Sequence, residues 1–269
     1  MVSGTHGDHP DSIIQVRDLR NAFGSHVVHD GLDLDVRTSE ILGVVGGSGT
    51  GKSVLLRSIV GLQRPQRGQI NVFGQDIMAL SMRERTQIER RFGVLFQSGA
   101  LFSSLTVIEN IALPLIEHSG LGRPDAEHVA CMKLALTGLP ANAGHKYPAE
   151  LSGGMVKRAA LARAMALDPE ILFLDEPTAG LDPVSAAAFD MLIRTLRDAL
   201  GFTVFLVTHD LDTLYTICDR VAVLAERRML VTDTLENVQH HPNTWIQEYF
   251  NGPRGRAAHD AQRRRQENV

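Results

Sequence analysis

Residues 46–53 read GGSGTGKS, which fits G-x-x-x-x-G-K-S, and few eight-residue patterns restrict a fold so tightly. The pattern works only where it joins a buried strand to a helix. Its backbone N–H groups must converge on phosphate while the helix N-terminus adds its positive end. Both flanks are present. ILGVVG (41–46) is a short apolar run ending in glycine, as a fully buried strand does, and GKSVLLRSIVGL (51–62) has helical spacing with a Gly-Leu stop. Gly46, Gly47, Ser48, Gly49, Thr50 and Gly51 would then cradle the phosphates of a nucleotide. Lys52 reaches the β- and γ-phosphates, and the Ser53 hydroxyl is placed to ligate Mg2+.

The rest of the chain supports an α/β reading with a mainly parallel sheet. Two β-like runs lie between Ile13 and Val36, and QINVFG follows the turn RPQRG. SMRE (81–84) and TVIE (106–109) are capping boxes, each opening a helix. FGVLF (92–96), ILFLD (171–175), TVFLVTH (203–209) and RVAVLA (220–225) read as further strands, separated by helical segments. Pro114 is expected to kink the helix that begins after Thr106, and Pro124 suits the first turn of the next one. The stretch from about 98 to 165 is expected to be mostly helical. The ends, 1–11 and 251–269, read as disordered, the second carrying the run RRR (263–265); the domain proper spans 12–250.

In such sheets the reactive residues sit at the carboxyl ends of strands. ILFLDE (171–176) ends in Asp175, placed to approach the Mg2+, and in Glu176, placed to polarise an attacking water. LFQSGALF (95–102) puts Gln97 at another strand end, where a plain loop would also suffice. LSGGM (151–155) opens a helix with Ser152, Gly153 and Gly154, a second set of oriented N–H groups suited to an anion. One pocket has no use for two such cradles, so the second one fits the nucleotide of another molecule.

The order GGSGTGKS, Gln97, LSGGM, ILFLDE, AGLD (179–182) and His209 in VTHD resembles that of ABC-transporter ATPase subunits, over nearly all of 13–240. The resemblance implies an ABC-type P-loop NTPase: a mainly parallel sheet core, an antiparallel β subdomain and a helical subdomain. It implies ATP and Mg2+ as cofactors and a head-to-tail homodimer that sandwiches two ATP molecules. Each site would pair Lys52, Ser53, Asp175 and Glu176 of one chain with Ser152, Gly153 and Gly154 of the other. By the same resemblance Glu176, His209 and Gln97 are catalytic, with Ser53, Gln97 and Asp175 around the Mg2+. Asp182 would lie at the dimer seam and Phe23 would stack on adenine, although a buried strand-end Phe is the plainer reading. The family usually carries Gln after LSGG; here Met155 stands in that place, so the amide cradle survives while a side-chain hydrogen bond across the dimer is lost.

A narrower likeness lies in LFQSGALFSSLTVIENIALPLIEH (95–118) and ELSGGMVKRAALARA (150–164), which resemble the Mla-type ATPases that serve MCE-domain proteins in phospholipid transport. The partners so implied are an integral membrane permease, an MCE-domain lipid-binding protein and a STAS-domain regulator. The place implied is the cytoplasmic side of the inner membrane, with outer-membrane lipid asymmetry as the purpose.

Composition weighs against the rival classes. With 27 basic and 31 acidic residues the net charge is −4, which offers no electrostatic case for nucleic acid and so none for a DNA-associated ATPase of this fold. Cys131 and Cys218 match no metal spacing and read as free thiols. No apolar run is long enough to span a bilayer, so work at a membrane is expected to pass through a partner. A transporter with another small cargo is the remaining alternative.

Overall fold

The computed structural model describes residues 11–252; most of the two ends read as disordered lies outside the described residues. Two long strands, β1 (Ser12–Phe23) and β2 (His26–Arg37), form an antiparallel hairpin, longer than the two short runs expected. With β4 (Arg67–Val72) and β5 (Gln75–Asp76) they make a four-stranded antiparallel sheet in the order β2-β1-β4-β5.

The second sheet has six strands in the order β10-β9-β3-β8-β7-β6. Its members are β3 (Ile41–Val45), β6 (Phe92–Leu95), β7 (Ile171–Asp175), β8 (Thr203–Val207), β9 (Arg220–Ala225) and β10 (Arg228–Asp233). All pairings are parallel except that of β10 with β9. Every residue of β3, β7 and β8 is buried, which is why these strands read as unbroken apolar runs rather than alternating ones. Phe92, Phe173 and Phe205 pack edge-on and tilted across β6, β7 and β8 with ring centroids 5.2 and 5.7 Å apart. Phe173 and Phe205 are fully buried, and truncating either to Ala would cost about 3–5 kcal/mol.

Helix α1 (Lys52–Ile59) leaves the glycine loop, and α2 (Met82–Glu89) starts from Ser81 with the expected capping box. A helical layer follows: α3 (Val107–Ser119), capped by Thr106, then α4 (Arg123–Leu136) and α5 (Gly153–Ala164), capped by Ser152. Pro114 lies inside α3, which runs on to Ser119, and Pro124 sits in the first turn of α4. Ala159 and Ala162 pack against α3 and α4, while Ala160 and Leu161 on the same helix pack beneath the sheet. These small residues let α5 serve both layers at once. Helix α6 (Pro183–Leu200) is capped by Asp182 and closed by Gly201 in the left-handed conformation. The described chain ends with α7 (Leu211–Ile217), α8 (Leu235–Gln239) and α9 (Thr244–Asn251).

Candidate active site

Strand order decides the site. β8 lies between β3 and β7, so the loops leaving β3 and β7 face each other across the end of β8, with the end of β6 beyond β7. The glycine loop, Asp175 with Glu176, Thr208 with His209, and Gln97 therefore meet at one sheet edge.

The glycine loop has the backbone its sequence requires. Gly51 adopts φ +100°, and a Cβ there would meet Val28 Cγ1 at 2.3 Å and His29 Nε2 at 2.5 Å. The hairpin end that carries Phe23 thus abuts the loop. Phe23 is 49% exposed, which sets aside the plainer reading of it as a buried strand-end residue. The Lys52 ammonium donates to the Gly46 and Gly47 carbonyls at 2.8 and 3.2 Å, folding back over the loop it follows. Burial lowers its pKa, opposed by the charges of Glu176 and Asp175.

The Ser53 hydroxyl donates to the Asp175 carboxylate at 3.0 Å, joining positions 122 residues apart in sequence. Both line an open cleft of about 740 Å³ together with Gln97, Arg57, Phe96, Ser98, Ala100, Ala179 and Gly180. Among the described residues no group of three or more His, Cys, Asp or Glu is arranged to hold a metal. The cleft instead supplies the Asp175 carboxylate, the Ser53 hydroxyl and the Gln97 amide. That oxygen set suits a hard divalent cation which takes its other ligands from phosphate and water.

Glu176 has a left-handed backbone, φ +50°, uncommon for a residue with a Cβ and a mark of strain stored at a site. Its N–H donates to the Val207 carbonyl at 2.8 Å, and its carboxylate lies 2.8 Å from Nδ1 of His209. An ionised carboxylate only accepts, so Nδ1 carries the proton in this contact. The two residues form a pair at the ends of adjacent strands.

Ser152 and Gly153 are exposed at the N-terminus of α5, with Gly154 beside them, and none of the three lines the cleft. The Ser152 hydroxyl accepts from the Met155 N–H at 3.4 Å, and the Met155 side chain packs inward on the helical layer. Asp182 caps α6, its Oδ1 accepting from the Val184 and Ser185 N–H groups at 3.0 Å each. Hydrogen bonding from the Ser185 side chain, and then from these N–H groups, holds its carboxyl below the usual range.

Sequence reading passed over several residues that hold this edge together. A lysine next to Arg158 on a helix carries no sequence signal of a buried role for Lys157. Here it is buried, with its ammonium on the main-chain carbonyls of Gln97 and Glu176. Tyr249 on α9 donates to the His209 carbonyl at 2.9 Å and stacks on Trp245, centroids 4.8 Å apart. His29 is fully buried behind Gly51 and within 3.0 Å of Asn21, and burial lowers its pKa to about 4. The alternation of β2, which turns Leu32, Leu34 and Val36 inward, puts His29 on the opposite face, so the pattern gave no hint of its burial.

Comparison with known proteins agrees with this geometry. The family model described as ABC transporter matches residues 29–179. The chain is 38% identical to an intermembrane phospholipid transport system ATP-binding protein, MlaF, of Haemophilus influenzae, covering 90% of this chain and 91% of that one. It is 39% identical to a probable ribonucleotide transport ATP-binding protein, mkl, of Mycobacterium leprae, covering 90% of this chain and 69% of the relative. Among solved structures, a dimeric bacterial ABC transporter cassette superposes with a TM-score of 0.76 at 28% identity, covering 82% of this chain and 98% of its own. A chain that matches the family model over more than half its length, and is this close to relatives along nine-tenths of it, belongs to the ABC transporter family as an ATP-binding, ATP-hydrolysing subunit.

Proposed function

We propose that this subunit powers phospholipid movement by an inner-membrane transporter, with two copies closing head to tail over two ATP molecules. The observation that carries the ATPase half of this reading is the 3.0 Å approach of Ser53 to Asp175 at the sheet edge that also bears Glu176, His209 and Gln97. In it Glu176 orients the attacking water, His209 holds Glu176 and the γ-phosphate in register, and Lys52 bears the charge of the β- and γ-phosphates. Gly46 to Gly51 cradle the phosphates, and Phe23 stacks on the adenine. A Mg2+ held by Ser53 and Asp175, with Gln97 nearby, would neutralise phosphate charge when bound.

The exposed N-terminus of α5, with Ser152, Gly153 and Gly154 outside their own cleft, supports the sandwich: its free N–H groups would meet the second copy's γ-phosphate. Asp182 lies near that seam in this reading. The cargo rests on likeness to MlaF, whose length this chain nearly matches. The partners are then a membrane permease, an MCE-domain lipid-binding protein and a STAS-domain regulator, at the cytoplasmic face of the inner membrane. No described helix is long and apolar enough to cross a membrane, so a permease has to supply the span.

A second cargo is favoured by one specific finding, since the mycobacterial relatives are named for ribonucleotide transport. Co-purification with the permease, followed by mass spectrometry of bound lipid, separates the two; a complex that carries nucleotide cargo and no phospholipid rejects the first. The ATPase roles are tested by Lys52→Ala, which should lose ATP binding, and Glu176→Gln, which should bind ATP, dimerise and stall. Ordinary turnover by Glu176→Gln would remove that residue from the catalytic role.

A further inference from the structure

Lys157 lies on α5 five residues after Ser152 and is only 6% exposed. Burying an ammonium is unfavourable unless its protons find acceptors. Here the acceptors are main-chain carbonyls: that of Gln97, just past the end of β6, and that of Glu176, just past the end of β7, at 3.4 Å. Arg163, further along the same helix, donates to the Ala100 and Gly99 carbonyls at 2.7 and 3.0 Å. One helix therefore grips the loop after β6 at three carbonyls and the strained Glu176 at a fourth. Burial lowers the pKa of Lys157, against the opposing charges of Glu176 and Asp175.

A tether to backbone oxygen has a mechanical consequence. Side chains can change rotamer without moving their neighbours, but a shift of α5 drags main-chain atoms and with them the Cα of Gln97 and of Glu176. The same rigid helix exposes Ser152 and Gly153 at its far end. We propose that Lys157 couples the two nucleotide sites: contact of the second copy's γ-phosphate with the N-terminus of α5 is passed through Lys157 to the backbone of Gln97 and Glu176 in the first site. This rests on the sandwich reading above. Lys157 is a positioning residue: its ammonium binds main-chain oxygens and it does not line the cleft.

The test compares wild type, Lys157→Met and Lys157→Arg as purified full chains with their permease. ATP hydrolysis is measured against ATP concentration, binding of a fluorescent ADP analogue to the isolated subunit by anisotropy, and Tm by scanning fluorimetry. Lys157→Met should lower kcat at least tenfold and bring the Hill coefficient from near 2 to near 1, with ADP affinity unchanged within twofold. Lys157→Arg, which keeps the donors, should recover half of kcat or more. Wild-type cooperativity in Lys157→Met overturns the proposal, as does a parallel fall of affinity and Tm that arginine does not rescue. If Lys157→Met fails to fold, Lys157→Gln is read in the same assays and normal cooperativity there overturns it equally. A wild type that is itself non-cooperative, with Glu176→Gln staying monomeric in ATP, rejects the sandwich and not the lysine alone.

Discussion

The Tyr249 hydroxyl donates a 2.9 Å hydrogen bond to the main-chain carbonyl of His209, so the last described helix holds the residue that faces Glu176. Burial pushes the Tyr249 phenol well above its ordinary range, which keeps it a donor at any working pH. Tyr249→Phe keeps the stack on Trp245 and deletes only the bond. A net hydrogen bond is worth about 1 kcal/mol, so stability should fall by roughly that amount. Phosphate release should slow about three- to tenfold as His209 loosens, with nucleotide affinity unaltered. Unchanged kcat would make α9 a structural strap only.

The glycine loop offers a cleaner contrast between strain and collision. Gly49 has φ +76° with nothing within 4 Å of a notional Cβ, whereas Gly51 has φ +100° and two side-chain atoms within 2.5 Å. In the absence of nucleotide, Gly49→Ala should cost about 1–2 kcal/mol from backbone strain alone. Gly51→Ala should cost clearly more, because Val28 and His29 must also move. Urea midpoints of the two variants decide it; equal losses would show that the hairpin yields freely.

What could be read from residues alone follows a physical line. β3, β7 and β8 were legible because strands buried on both faces are apolar throughout, and Ser81 and Thr106 were legible because capping boxes are local chemistry. The strand ends bearing Asp175 and His209 followed from those strands. The edge strand β10 was not legible: its residues are half-exposed and show no sharp alternation. Neither were the roles of Lys157 and Tyr249, whose partners lie 60 and 40 residues away and are backbone atoms, which leave no pattern in side-chain identity.

Gln97 joins two observations: its side chain lines the cleft with Ser53 and Asp175, and its carbonyl is held by α5. Gln97→Ala removes the amide and leaves the tether. ATP binding should persist, while transport per ATP in reconstituted vesicles should fall severalfold. Transport that keeps its full yield per ATP would return the position to an ordinary loop.

Asp190 sets a pH dependence of stability that has nothing to do with catalysis. It is 3% exposed on α6, with Oδ2 accepting from the Thr213 hydroxyl at 2.7 Å and Oδ1 without a partner. Burial raises its pKa from 3.8 to about 7; the Thr213 bond opposes this, and the charges of Asp210 and Asp212 add to it. A folded pKa above the unfolded one means the native state binds more protons between those values. Stability therefore declines as pH rises from about 4 to about 7 and is flat beyond. His29 acts oppositely. Its pKa is lowered from 6.5 to about 4, so its protonation in the unfolded chain erodes stability as pH falls through that window. The two slopes offset each other in the wild type. Asp190→Asn keeps an acceptor for Thr213 and removes the ionisation, so its gain over wild type should be near zero at pH 4 and grow to roughly 2–4 kcal/mol by pH 7.5. What remains includes the His29 slope, rising from pH 4 to 6.5, and against it the opposite slope of buried Glu40, whose pKa burial raises. Urea titrations at four pH values measure both, and a gain that is the same at every pH would show that Asp190 is already ionised in the fold.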